Sequence, residues 1–141
     1  MGERISAIGA TSTDGLLAYK FMKGTVNGER FLDFIQGMLV PEMLPFEGEN
    51  PQSVIVLDNC SIHHVQPVTD CLRQMGILTL FLPPYSPDMN PIEELFSYFK
   101  YYLKDHDTIL QAMQDPLPLL QARFDSVTVE QCNACIKHAG Y

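Results

Sequence analysis

Three features of the sequence predict an α/β fold, a mixed sheet flanked by helices. Two short apolar runs, SVIVLD at 53–58 and ILTLFLPP at 77–84, lack polar–apolar alternation, as do strands buried on both faces of a parallel sheet. The turn cluster TSTDG at 11–15 separates two strand-like segments, which reads as an antiparallel hairpin. Phe31, Phe34, Ile35, Met38 and Leu39 recur at i, i+3, i+4, i+7 and i+8, the stripe of a core-facing helix.

The elements follow in order. Residues 3–10 and 16–23 form the hairpin. Asn27 caps a helix running to about Met43, and Pro41 kinks or ends it. The Pro- and Gly-containing stretch LPFEGENPQ at 44–52 is a loop. After the strand at 53–58, a helix presents Val65, Val68, Cys71, Leu72 and Met75 on one side and stops at Gly76. It begins at His63 and His64. The strand at 77–84 ends in prolines, and the loop YSPDMN leads to a helix starting at Pro91 with Leu95, Phe96, Phe99 and Leu103 inward. Residues 105–141 read as helical pieces broken at Pro116 and Pro118. Within them, Thr128 and Gln131 mark a capping box. The order ββαβαβαα gives antiparallel strands first and helix-linked parallel strands after.

Composition narrows the function classes. The chain has 141 residues, a net charge of −8 and 46 % hydrophobic content, which suits one globular domain without disulfide staples. No stretch has the roughly 18 apolar residues of a membrane span, and MGERISAIG lacks the apolar core of a secretory signal. The acidic balance predicts weak binding to nucleic acid by this polypeptide, because Lys and Arg carry such binding. Of Cys60, Cys71, Cys132 and Cys135, the last two form a C-x-x-C with His138 three residues on. Three local candidates fall short of a closed zinc site, and i, i+3 cysteines on a helix read as core packing.

The chemistry-bearing residues lie at strand ends. Asp58 directly follows an apolar strand, where an open α/β sheet gathers functional groups. Glu93 falls in the first turn of the helix after the next strand. Two carboxylates brought together there make a hard oxygen site suited to Mg²⁺ or Mn²⁺. Each has a purely structural alternative. Asp58 can turn the chain by bonding its own backbone. Glu93, three residues after Asn90, can close a capping box, with Pro91 at the first helical position.

The segments VLDNCSIHH (56–64) and FLPPYSPDMNPIEELFSYFK (81–100) resemble the catalytic domain of Tc/mariner-type DDE transposases, or DDE superfamily endonucleases. Their D-N-x-x-x-H and P-x-S-P-D-x-N-P-I-E blocks occur here in order, with 34 residues between Asp58 and Glu93. Looser similarity in ERISAIGATSTDG and IKHAGY extends it over nearly the whole chain. The resemblance implies an RNase H-like mixed sheet, with 1–104 as the core and 105–141 as a C-terminal helical extension of the same domain. It implies two Mg²⁺ or Mn²⁺ ions, DNA (transposon ends and target) as partner, and a nuclear address. Asp58 and Glu93 match the second and third catalytic, metal-binding carboxylates. Asn59, His63, Asp88 and Asn90 match supporting positions. The family's first catalytic Asp, on a strand preceding the hairpin, has no match here, and Glu3 cannot replace it. The upstream helix-turn-helix modules are unmatched too. The expectation is therefore a catalytic-domain fragment lacking its first strand, inactive alone and prone to self-association through an exposed sheet edge. The alternative is a domesticated or relic fragment serving as a protein-interaction module.

Overall fold

The computed structural model describes residues 5–47, 50–105 and 115–141, with the side chains of 99, 100 and 102–105 set apart. Two compact units emerge, one from 1–25 with 91–141 and the other from 26–90. The strands of the described residues form two ladders, one in each unit.

In the first unit, β1 (Ile5–Ser12) and β2 (Gly15–Lys23) pair antiparallel, from Ile5 opposite Lys23 to Ser12 opposite Gly15. The turn is at the predicted place, and Gly15 takes φ +117, a conformation open to glycine. The helix α3 (Pro91–Asp105) packs on the hairpin, and Gly9 permits the approach. A methyl group there would sit 3.0 Å from Ile92 Cδ1 and 3.4 Å from the Phe96 ring. Two C-terminal helices complete this unit, α4 (Leu117–Asp125) and α5 (Val129–His138). Pro118 does not break α4 but occupies its first turn, where the missing N–H costs nothing. The predicted capping box of α5 is present: Thr128 Oγ1 accepts from Gln131 N at 3.1 Å, and Thr128 N donates to Gln131 Oε1 at 2.8 Å. Phe21, Leu120 and Phe124 form one buried cluster, flanked by Ile5, Leu16, Tyr19 and Phe96. Cys132 and Cys135 are buried with Ile92 and Leu95 in another, so they are core residues. Burial pushes the Cys135 thiol up to about 11, with the Glu94 carboxylate adding to the shift. The predicted inward residues Phe99 and Leu103 lie outside the described side chains.

The second unit holds the parallel pair. The helix α1 (Gly28–Phe34) starts as predicted, with Asn27 Oδ1 accepting from Arg30 N at 2.9 Å. It does not run regularly to Met43. A π-turn at Ile35–Leu39 and a 3₁₀ turn at Val40–Glu42 succeed it. The wider turn changes the register around Gly37 and leaves Met38 exposed, while Phe31, Phe34, Ile35 and Leu39 stay buried. The strands β3 (Val54–Leu57) and β4 (Leu78–Phe81) pair from Val54 opposite Leu78 to Leu57 opposite Phe81. Between them runs α2 (Gln66–Gln74), with Val68 and Leu72 buried. It ends at Gly76, whose φ is +71. Cys71 is half-buried and Met75 is exposed, so the buried stripe is narrower than predicted.

One expectation needs correction. β3 is not buried on both faces: Ile55 and Leu57 face inward, while Val54 and Val56 are 38 % and 39 % exposed. Their ladder partners Leu78 and Leu80 are exposed too. An all-apolar strand therefore reports β structure without reporting how many faces are covered.

Tyr19 supplies a pH test of the first unit. Its hydroxyl donates to the Asp125 carboxylate, and the Gln121 carbonyl lies 2.9 Å away. Burial, the Asp125 hydrogen bond and the Asp125 charge push the phenol up from 10.0 to about 12. The unfolded chain then loses this proton before the folded one. The stabilisation is present below the unfolded value and is lost as pH rises through the folded one. Chemical denaturation from pH 9 to 12 should show wild type losing more stability than Tyr19→Phe; parallel curves would remove this contribution.

Candidate active site

The sequence places Asp58 one residue after β3, and local hydrogen bonding fixes what the side chain does there. Cys60 N donates to Asp58 Oδ1 at 3.2 Å, so the turn-forming role is real. The same oxygen lies 2.6 Å from His63 Nδ1, in a pair where His63 is 16 % exposed and Asp58 38 %. His63 Nδ1 is also 3.2 Å from the Asp58 carbonyl. Two donors thus converge on one side of the carboxylate. Among the described residues no hydrogen bond is made by its other oxygen, Oδ2, and hard divalent cations take such oxygens.

His63 and His64 do not begin a helix as predicted. They end a 3₁₀ turn at Ser61–His64, and Val65 in extended conformation separates this from α2. Pro67 in the first turn of α2 explains the break: it has no N–H to donate back to the His63 carbonyl, so the helix cannot run through from His63. The tight turn aims the two imidazoles differently. His63 meets the Phe31 ring with centroids 4.5 Å apart, while His64 stacks on Phe81 at 4.0 Å and 15°. His64 Nε2 lies 2.6 Å from Asn59 Oδ1. Asn59 is therefore tied to the end of β4 through His64. Asp58, Asn59 and His63, the positions the motif points to, are assembled on this one loop. The positioning contacts of Phe31, His64 and Phe81 are not evident in the motif; an aromatic residue ending β4 is the available signal.

The second block is laid out along the chain. Asp88 is exposed in a 3₁₀ turn at Pro87–Met89. Asn90 is half-buried with extended backbone, and its N–H donates to the Pro87 carbonyl at 3.1 Å. Glu93 and Glu94 occupy the first turn of α3, where the helix dipole favours negative charge. Their roles diverge. Glu94 Oε1 lies 2.9 Å from His138 Nδ1, which joins α3 to α5. Glu93 is half-buried one residue after Ile92, which is buried beside Gly9, and its carbonyl accepts from Ser97 Oγ at 3.0 Å. The sequence of contacts from Gly9 to Ile92 orients the start of α3.

Among the described residues no group of three or more His, Cys, Asp or Glu side chains forms a ready-made metal cage. No helix is long and apolar enough to cross a membrane among those residues.

Residues 1–114 match the family model described as DDE superfamily endonuclease. No curated protein matches the chain. Among solved structures, the Mos1 transposase catalytic domain with raltegravir and Mg matches with a TM-score of 0.63 and 20 % identity, covering 96 % of this chain and 75 % of that one. The Mos1 strand transfer complex matches at a TM-score of 0.57 and 19 % identity, over 99 % of this chain. A pre-cleavage Mos1 transpososome gives 0.59 and 19 %. The chain spans 44 % of the Mos1 chain in the strand transfer complex. The family match covers both carboxylate blocks, and the structural match shows the mixed α/β, RNase H-like architecture that the motifs imply. This chain belongs to the DDE superfamily endonucleases and has the fold of a mariner transposase catalytic domain.

Proposed function

We propose that the chain is the catalytic-domain portion of a DDE transposase, acting on DNA phosphodiesters with Mg²⁺ or Mn²⁺. Asp58 and Glu93 are assigned as metal-binding catalytic carboxylates, and Asn59, His63, Asp88 and Asn90 as supporting residues. The observation that carries this reading is the Asp58 loop. Its carboxylate stands at the carboxyl end of a parallel strand, with Oδ1 held by His63 Nδ1 and the Cys60 N–H. This donor chemistry fits a hard cation. When bound, a pair of such ions activates an attacking oxygen and stabilises the leaving one. The chain's own part is orientation. His63 fixes the rotamer of Asp58, and His64 fixes Asn59 against Phe81.

The core at 1–104 and the extension at 105–141 are read as one catalytic domain, with DNA as its partner and the nucleus as its place of action. Strand transfer, paired-end and pre-cleavage complexes of Mos1 support DNA as the partner class. Self-association is part of the same reading, supported by two-stranded ladders whose outer edges invite pairing.

Only two of the family's three carboxylates are matched in these 141 residues. The polypeptide alone should leave supercoiled plasmid intact in Mg²⁺. Mg²⁺-dependent nicking by wild type that disappears in Asp58→Ala would contradict that expectation.

A further inference from the structure

Tyr85 is the most anomalous residue of the second unit. Its φ is +59, a region that bulky side chains seldom enter, and the residue is fully exposed, at 101 %. The local sequence explains how the conformation arises. Pro84 fixes the preceding φ, and a positive φ at the next residue is the pattern of a type II turn, whose usual occupant there is Gly. Ser86 Oγ donates to the Pro84 carbonyl at 3.3 Å, closing the turn across Tyr85. Nothing in this turn requires a large aromatic ring.

Gln52 also has a positive φ, +55. The Gln52 carbonyl accepts from Leu44 N at 3.1 Å and closes the 44–52 loop. Its backbone conformation serves the fold. The Tyr85 ring, by contrast, has no stacking or hydrogen-bond partner among the described residues.

Position gives the ring a use. Leu57 and Phe81 are paired at the carboxyl ends of β3 and β4, so the Asp58 loop and the Tyr85 loop leave the same end of the ladder. Tyr85 lies four residues past Phe81, within at most about 14 Å of extended chain. A flat ring presented to solvent by a constrained turn beside that end is suited to a flat partner. An acidic chain, with net charge −8, also gains little from phosphate contacts and must obtain affinity elsewhere.

We propose that Tyr85 is a stacking platform for an unpaired nucleobase of the DNA substrate. The inference rests on the reading of Asp58 as part of a DNA-processing site and adds a specific contact to it. Stacking on an aromatic side chain is tolerant of base identity, so the residue positions the strand without reading its sequence.

The chain contains no tryptophan, so Tyr85→Trp installs a unique emission reporter. This variant is titrated at low salt with single-stranded oligothymidylate and with an abasic oligonucleotide of the same length. Labelled-oligonucleotide anisotropy follows binding in parallel. Base-bearing DNA should quench the emission and abasic DNA should not. Tyr85→Ala should weaken base-bearing DNA by about tenfold, and Tyr85→Phe should stay within about twofold of wild type. Tyr85→Gly should raise the thermal midpoint, because glycine suits the turn, yet weaken base-bearing DNA as much as Tyr85→Ala does. Equal affinity of wild type and Tyr85→Ala, equal quenching by both oligonucleotides, or binding of neither would overturn the proposal. Base-dependent quenching in a chain that fails to bind Mn²⁺ would sink the metal assignment alone. Mn²⁺ binding without base-dependent quenching would sink the stacking proposal alone.

Discussion

Phe124→Ala should destabilise the first unit by roughly 3–5 kcal/mol, the usual cost of removing a fully buried aromatic ring. Phe124 is 2 % exposed. Its ring lies 5.2 Å from those of both Tyr19 and Phe21 and 5.9 Å from that of Phe96. The substitution therefore opens a cavity where α4 meets the hairpin and α3, and it removes three edge or tilted aromatic contacts. Urea denaturation followed by circular dichroism should show a lower midpoint. Hydrogen exchange should lose protection first in 5–25, 91–105 and 115–141. A cost under about 1 kcal/mol would mean that the cluster is not a structural keystone.

The second large effect concerns the metal. Asp58→Ala should abolish divalent-ion binding while leaving the fold in place, because the carboxylate is partly exposed and His63 keeps its packing on Phe31. Losing the hydrogen bond from Cys60 N loosens the loop, so thermal denaturation is the companion measurement. A midpoint within a few degrees of wild type, on the scale of about 1 kcal/mol, separates lost ligation from lost folding. Asp58→Asn keeps the oxygen that accepts from Cys60 and removes the charge, which makes it the sharper variant.

Much of this architecture was legible in the chain because local chemistry and tertiary structure agree. Asn27 and the Thr128–Gln131 pair are caps by residue type and caps in space. Gly76 stops α2 where a positive φ is needed. Asp14-Gly15 marks the hairpin turn. The motif loop was legible for the same reason: Asp58, Asn59 and His63 are neighbours in sequence, and a single turn brings them together. What sequence could not supply came from beyond the local segment. Val54 and Val56 look as buried as Ile55 and Leu57 by composition, and only tertiary contacts separate the two faces. Met38 fits the helical stripe, but the π-turn at Ile35–Leu39 rotates it outward. His64 resembles a spare histidine until Phe81, at the end of β4, is seen stacked against it. Tyr85 sits in a Pro-rich turn that was recognisable, yet its positive φ is a property of the folded loop.

Calorimetric titration of the 141-residue chain with Mn²⁺ tests the central claim most directly. Wild type should bind Mn²⁺, and Asp58→Asn and Glu93→Gln should each weaken binding by at least about tenfold, the order of loss for a direct metal ligand or its immediate support, with thermal midpoints near that of wild type. Mn²⁺ affinity unchanged by either substitution, or no binding by a folded wild-type chain, would contradict the assignment of Asp58 and Glu93 as the metal-holding pair.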